Sequence, residues 1–394
     1  MANDFCQGFK FAGVAAGLKK NGKPDVGLIL ADRPCTAAGL FTNNAVKAAP
    51  VLVSAEYLQK GVCRAVIVNA GNANCCTGEA GLRNAKHTAE FVGNALGLPA
   101  EQVAVSSTGV IGLPLPVEKI EAVVPQLIKD AKEDAVWEFA AAIMTTDTVP
   151  KVVTRKGSLN GREFTVMGVA KGAGMIRPDM ATMLSYIVSD AAIDAANLKK
   201  LLKIAADQSY NTITIDGDTS TNDTLIALAN GMSGVKVDDE AGLQAFGRVL
   251  NEVCLTLARW MVKDGEGVTK VVNILVKNAA NDADAFRIAD TVSQSNLVKT
   301  AFFGEDANWG RILAAAGRAH AAIEPYKTDI YIGDVKMVEN GVGQGKDVEA
   351  EATKVLKTPE FTVTVDLNLG EGRCELITCD FSIDYVKINA DYRS

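Results

Sequence analysis

Histidine is nearly absent from this sequence: its 394 residues include two, His87 and His320. A Ser-His-Asp or Cys-His mechanism would have to use one of them, yet both fall in helix-like stretches among small or polar neighbours, where a structural role is the plain reading. Any catalytic base is therefore expected to be another group. No block of consecutive basic residues occurs and the formal net charge is -7, so the clustered positive footprint of a phosphate-binding surface is missing and no nucleic-acid partner is expected. Neither a basic segment ahead of a long apolar stretch at the N-terminus nor an apolar run of membrane-spanning length is found. The sequence reads as cytoplasmic, with no membrane association. Its eight cysteines form no CxxC pair and no Cys/His group of zinc spacing, which points to reduced thiols and to no metal. No strand leads into GxGxxG, and Lys171 precedes its glycines rather than following them, so a dinucleotide fold and a P-loop are both disfavoured.

What the chain does have is enough apolar residue, 48%, for a large core of two lobes or more. Strand and helix periods mix in both halves, giving an α/β or α+β class. Residues 8–31 read as a hairpin about Asn21-Gly22-Lys23-Pro24, with strand signal returning at 39–42 and 64–68. Helical spacing covers 54–60, 79–96, a segment from Val117 interrupted at Pro125, 134–144, 195–206, 240–263 and 283–300. Further strands are expected at 103–107, 151–154, 164–169, 184–188, 212–215, 224–229, 270–277, 328–337, 361–367 and 374–381, and residues 388–394 follow a strand-like run.

The stretch KGAGMIRPDMATMLSYIVSD, 171–190, sets Gly172, Gly174 and Pro178 ahead of Thr182, with a buried-strand run just beyond. A hydroxyl thus stands at a loop-to-strand junction, although a threonine there also serves as an ordinary strand residue. In SSTGVIG, Thr108 and Gly109 close a strand with a hydroxyl and an unencumbered backbone N–H, the donors an oxyanion hole needs; a plain strand exit has the same composition. The run Thr145-Thr146-Asp147-Thr148 suits both helix termination and substrate hydrogen bonding. Glu266, between Gly265 and Gly267, is expected on an exposed turn where its carboxylate is solvated or meets a cationic ligand. The polar loop DGDTSTND, 216–223, lacks the final acid of a twelve-residue calcium loop. Vicinal Cys75-Cys76, in the Asn/Gly loop 69–78, suggests redox chemistry or simple packing.

Lys171 to Leu184, KGAGMIRPDMATML, resembles the self-cleavage motif of the ornithine acetyltransferase family, the bifunctional glutamate N-acetyltransferases of arginine biosynthesis. SSTGVIG, MTTDT, DGDTSTNDT, DGEG and the terminal NADYRS resemble family segments in the same order along nearly the whole chain. The resemblance implies a layered α/β/β/α self-processing fold. It also implies a cut between Ala181 and Thr182 that yields an α chain, 1–181, and a β chain, 182–394, associated as an α2β2 heterotetramer. Thr182 would then be the nucleophile and its new α-amine the base, which accounts for the scarcity of histidine. Thr182 would carry the acetyl group from N2-acetylornithine to glutamate, with Thr108 and Gly109 stabilising the oxyanion. Thr145, Lys171, Thr182, Glu266, Asn389 and Ser394 match substrate-binding positions, the choice of Thr145 over Thr146 or Thr148 staying open. Charge suggests Lys171 for the substrate carboxylate and Glu266 for the ornithine ammonium. No cofactor is implied, and whether acetyl-CoA also serves as donor is left open. A self-processing amidase or aminopeptidase that passes its acyl group to water, and an amino-acid-binding protein that never cuts itself, are the competing readings.

Overall fold

The computed structural model describes residues 5–177 and 183–391. They divide into two compact units, residues 1–211 with 218–261 and residues 212–217 with 262–394. This division differs from the one at Ala181/Thr182, because the first unit draws on both sides of that bond.

In the first unit the chain runs β1 (Phe9–Val14), β2 (Val26–Phe41), α1 (Ala49–Tyr57), β3 (Val62–Asn72), α2 (Gly78–Leu96) and β4 (Val103–Val110). It continues through α3 (Val117–Asp130), α4 (Val136–Ile143), β5 (Lys151–Leu159), β6 (Arg162–Lys171), β7 (Leu184–Ser189), β8 (Ala192–Ile193) and α5 (Ala195–Asp207). The strands β9 (Thr224–Ala229) and β10 (Lys236–Val237) and the helix α6 (Glu240–Lys263) follow. Eight strands form one mixed sheet in the order β4-β3-β2-β9-β7-β6-β5, with β1 beside the first half of β2. Alternation along the strands gives the sheet two apolar faces. Leu28, Ile67 and Val105 face α1, α2 and α3, whereas Ile29, Val66, Val68 and Tyr186 enclose α4 through Phe139 and Ile143. The ring of Phe139 meets those of Phe11 and Tyr186, tying a strand on each side of α4 to it.

Curvature of this sheet positions the candidate site. Four strands separate β4 from β6 in the sheet order, yet Lys171 at the end of β6 reaches Thr108 near the end of β4. A flat sheet would hold these strands far apart, at nearly 5 Å per step. The register irregularity in β2 between Leu30 and Cys35 divides its pairing, the residues before it lying opposite β1 and β3 and those from Thr36 opposite β9. Such irregularities bend a strand and increase its twist.

The second unit contains β11 (Val271–Ala279), α7 (Asp282–Ser293), α8 (Asn296–Phe303), α9 (Trp309–Gly317), β12 (Asp329–Ile332), β13 (Val335–Glu339) and β14 (Val342–Gly343). After these come α10 (Lys346–Leu356), β15 (Glu360–Asp366), β16 (Gly372–Cys379) and α11 (Ile383–Ala390). Its six strands are ordered β14-β13-β12-β15-β11-β16, with β11 and β15 parallel and the other pairs antiparallel. Val272, Ile274, Val363 and Val365 pack against Ile288 and Val292 of α7, Phe302 of α8 and Leu356 of α10. Both units are mixed α/β, in agreement with the class expected from the sequence.

Several elements depart from that expectation. The helix expected at 54–60 begins at Ala49, with Pro50 in its first turn, where a missing N–H costs nothing. Pro125 does not interrupt α3, because Ile120, Val124 and Leu127 bury one continuous face on both sides of it. Residues 212–215 hold the last residue of a 3-10 turn, Tyr210–Thr212, and a single bridge, Ile213 with Ile377, rather than a strand. The helix expected at 283–300 breaks at Gln294 and Ser295, where Ser295 turns to an extended backbone. The strand expected at 328–337 is a hairpin, reversed at Gly333 with φ 58. His320 lies beyond α9 with φ 51, outside any helix. The run ahead of residue 388, expected as strand-like, belongs to the helix α11, whose cap Ser382 accepts from the N–H of Tyr385.

Candidate active site

Residues from three elements of the first unit converge on one ammonium group. Lys171 ends β6, opposite Leu184 at the start of β7, so these two strands bracket the connection 172–183, in which the expected cut falls. Its side chain is buried, with the residue 8% exposed, and its Nζ donates to Thr145 Oγ1 at 2.9 Å and more weakly to Thr108 Oγ1 at 3.4 Å. Thr145 follows the C-terminus of α4, where Met144 turns to extended backbone. Thr108 lies in β4 opposite Ala70 and Asn72 of β3. Of the TTDT run, Thr145 places its hydroxyl against the Lys171 ammonium.

Gly109 must be glycine for two reasons. Its φ of 132 lies outside the range open to most side chains, and a Cβ there would stand 2.4 Å from the carbonyl carbon of Gly71 and 2.6 Å from the nitrogen of Asn72. The close approach holds the end of β4 against β3. Asn222 locks the same corner from the 218–223 loop, its Nδ2 donating to Ala73 O at 2.7 Å and to Ser107 O at 2.8 Å. Ser107 Oγ in turn donates to Asn69 Oδ1 at 2.6 Å.

Behind Lys171 lies a buried carboxylate that the sequence did not single out. Asp147 Oδ1 accepts from Lys151 Nζ at 2.8 Å and from the backbone N–H of Gly172 at 2.6 Å, and Oδ2 accepts from the N–H of Thr145 at 3.2 Å. Burial pushes this carboxyl up, but the ammonium groups of Lys171 and Lys151 and the bonds from Lys151 and Gly172 outweigh it and hold it below the usual carboxylate value. Lys19 is lowered to about 8, chiefly by burial, with Asp25 opposing and Lys171 adding to the shift. A carboxylate four residues before a lysine, Asp147 and Lys151, was the available sequence signal.

In the connection itself, Met175 has φ 54, a left-handed backbone that costs a non-glycine residue energy and marks the loop as strained. Thr219 Oγ1 donates to Arg177 O at 3.0 Å, anchoring the last residue described ahead of position 178. Ala181 and Thr182 lie outside the described residues, as does Ser394.

In the second unit, Glu266 is buried rather than exposed, at 7%. Asn389 of α11 donates through Nδ2 to Glu266 Oε2 at 2.7 Å and to Tyr385 O at 3.1 Å. The neighbouring Gly267 explains the burial: with φ 66, it passes so close to α11 that a Cβ would stand 2.5 Å from the nitrogen of Tyr385. Thus Thr108, Thr145 and Lys171 form one cluster, and Glu266 and Asn389 form another. No group of three or more His, Cys, Asp or Glu suited to a metal occurs among the described residues, and no helix among them is long and apolar enough to cross a membrane.

The comparisons with known proteins agree along the length of the chain. The arginine biosynthesis bifunctional protein ArgJ of Geobacter sulfurreducens is 52% identical over 390 residues, covering 98% of this chain and 99% of the relative. The protein of the same name from Syntrophotalea carbinolica is 50% identical over 389 residues, with the same coverage of 98% and 99%. The crystal structure of arginine biosynthesis bifunctional protein ArgJ from Bacillus halodurans matches with a TM-score of 0.50 and 36% identity, over 52% of this chain and 97% of that one. The ArgJ family model matches residues 10–394, and the chain belongs to the ArgJ family.

Proposed function

We propose that the chain cuts itself between Ala181 and Thr182 and then transfers acetyl from N2-acetyl-L-ornithine to L-glutamate through an acetyl-Thr182 intermediate. Membership of the ArgJ family makes it an acyltransferase of arginine biosynthesis; the donor, acceptor and covalent route are our reading. In self-cleavage, Thr182 Oγ attacks the Ala181 carbonyl, the acyl group shifts from nitrogen to oxygen so that the C–N bond breaks and the α-amine of Thr182 is freed, and water then hydrolyses the ester to release the Ala181 carboxylate and restore the threonine hydroxyl. That amine has an ordinary pKa of about 7.7 to 8.0, so near neutrality a useful fraction accepts the Oγ proton. Oγ then attacks the acetyl carbonyl of N2-acetylornithine, the C–N bond breaks, and the proton leaves with the amine of ornithine. Glutamate nitrogen attacks the acetyl ester in turn, giving N-acetylglutamate and restoring the threonine hydroxyl.

The observation that carries this reading is the bond from Lys171 to Thr108. A hydroxyl has one hydrogen to donate and two lone pairs to accept. With one lone pair taken by the ammonium of Lys171, Thr108 keeps its hydrogen for an oxyanion and is made a stronger donor by the adjacent positive charge. Gly109 would add its N–H, and losing one such donor typically costs about 2.7 to 4 kcal/mol. Lys171 would also meet the substrate carboxylate beside Thr145, while Glu266, supported by Asn389, would hold the ornithine ammonium, and Ser394 completes the expected substrate contacts. Nearly the whole of the Bacillus halodurans ArgJ chain is matched by 52% of this one, and a chain of about half length supports the expectation of a processed precursor.

The test is acetyl transfer from N2-acetylornithine to glutamate by purified protein, with denaturing mass spectrometry of the wild type and of Thr182→Ala. We expect two fragments and transfer for the wild type, and an intact, inactive chain for the variant. Release of acetate without transfer, or an intact active chain, would overturn the reading. Acetyl-CoA offered as the sole donor then decides whether it is a second substrate.

A further inference from the structure

We propose that Asp147, held by Lys151, is a positioning residue that sets Thr145 and the entrance of the 172–183 connection in place around Lys171. The proposal rests on the reading of Thr182 as nucleophile and assigns the device that delivers the connection to the site. Asp147 is fully buried at its side chain, and that of Lys151 is 1% exposed. One carboxylate accepts from the backbone of Thr145, whose hydroxyl meets Lys171, and from the backbone of Gly172, the residue that follows Lys171. It therefore fixes the residue after the lysine and the residue in front of it with the same two oxygens. Shifting Asp147 would move both.

Chemistry explains why an acid stands here. An ionised carboxylate only accepts, and its two oxygens can serve these three donors. An asparagine would have a single accepting oxygen and would turn an NH2 group toward backbone N–H groups or the Lys151 ammonium. Stability explains the pair poorly. Burying two ions carries a desolvation cost, and replacing a buried pair with well-packed apolar residues of similar size is often harmless, whereas removing one partner leaves an uncompensated charge. What neutral replacements would lose is the three-way geometry.

Asp147→Asn and the double variant Asp147→Asn/Lys151→Gln, which leaves no lone buried charge from this pair, test the proposal in the full-length chain. Self-cleavage is followed by denaturing mass spectrometry, and kcat and KM are measured on fully processed enzyme, at a temperature where circular dichroism shows each variant folded. We expect both variants to cut themselves and turn over at least about tenfold more slowly than wild type, since misplacement of about 1 Å can cost 10²-fold. Asp147→Asn should also raise the KM for N2-acetylornithine through Thr145; in a Thr145→Ala background that rise should vanish, whereas its effect on cleavage, exerted through Gly172, should persist. Wild-type cleavage and turnover in the folded double variant would overturn the proposal, as would full additivity of Asp147→Asn and Thr145→Ala in KM. Failure of the wild-type chain to cleave would instead refute the Thr182 reading, so the two failures are distinguishable.

Discussion

A methyl group on Gly109 would test the oxyanion turn at the scale of one atom. The added Cβ meets the backbone of Gly71 and Asn72, which has no flexible side chain to yield, and φ 132 adds conformational strain. Gly109→Ala should lower kcat by about 10²-fold or more through displacement of Thr108 and of the N–H at 109. Steady-state kinetics on folded, processed enzyme measures this; an unchanged kcat would remove Gly109 from the proposed site. Thr108, Thr145 and Lys171 were legible as motif residues, yet only the fold shows their hydroxyl and ammonium groups meeting. Asp147 was not legible because TTDT reads equally well as the polar end of a helix. Its spacing to Lys151 shows in the chain, but the bond from the N–H of Gly172, which follows β6, joins segments far apart in sequence and spacing does not report it. Glu266 was misread for a similar reason, since flanking glycines signal an exposed turn but here permit close approach to α11.

Helix α3 shows how packing overrides a local breaker. Pro125 lacks the N–H that would bond to the carbonyl of Glu121, and a proline in a helix interior costs about 3 kcal/mol relative to alanine. The buried face of Ile120, Val124 and Leu127 supplies the compensating contacts, while Pro125 itself is exposed. Pro125→Ala should therefore stabilise the protein by roughly 1 to 2 kcal/mol, the restored helical bond being offset in part by greater freedom of the unfolded chain. Calorimetry should show a raised Tm; a lower Tm would mean that the proline ring itself helps to hold α3 in place. Elements governed by their own periodicity were legible, as with the β1–β2 hairpin and the long helix α6. Those decided by a single residue were not: Gly333 folds an apparent strand into a hairpin, and Ser295 divides an apparent helix. In both cases the hydrophobic pattern continues across the break, so the pattern alone gives no sign of it.

In chain order the proposed cut at Ala181/Thr182 falls between β6 and β7, two strands of one sheet, which decides what the two products can do. Strands β1 to β6 would belong to the N-terminal product, and β7 and β9 to the C-terminal one. These strands interleave: β7 pairs with β6 from Leu184 opposite Lys171 to Ser189 opposite Val166, while β9 pairs with β2 from Thr224 opposite Phe41 to Ala229 opposite Thr36. Tyr186, Val188, Ile226 and Leu228 share one core with Phe9, Ile29, Val68 and Phe139. Separating the products would expose that core and unpair two ladders on either side of the β7–β9 pair. Full burial of one large apolar side chain is worth about 1.5 to 3 kcal/mol, so even the four contributed by β7 and β9 represent several kcal/mol. The fragments 1–181 and 182–394 should therefore co-purify through native gel filtration and separate only in denaturant, together with loss of the near-ultraviolet circular dichroism of the folded core. Tyr186→Ala, which removes the ring packed on Phe139, should lower the denaturant concentration at which they part. Fragments that come apart in native buffer while each retains its folded signal would show that the sheet is not shared in solution as its pairing requires.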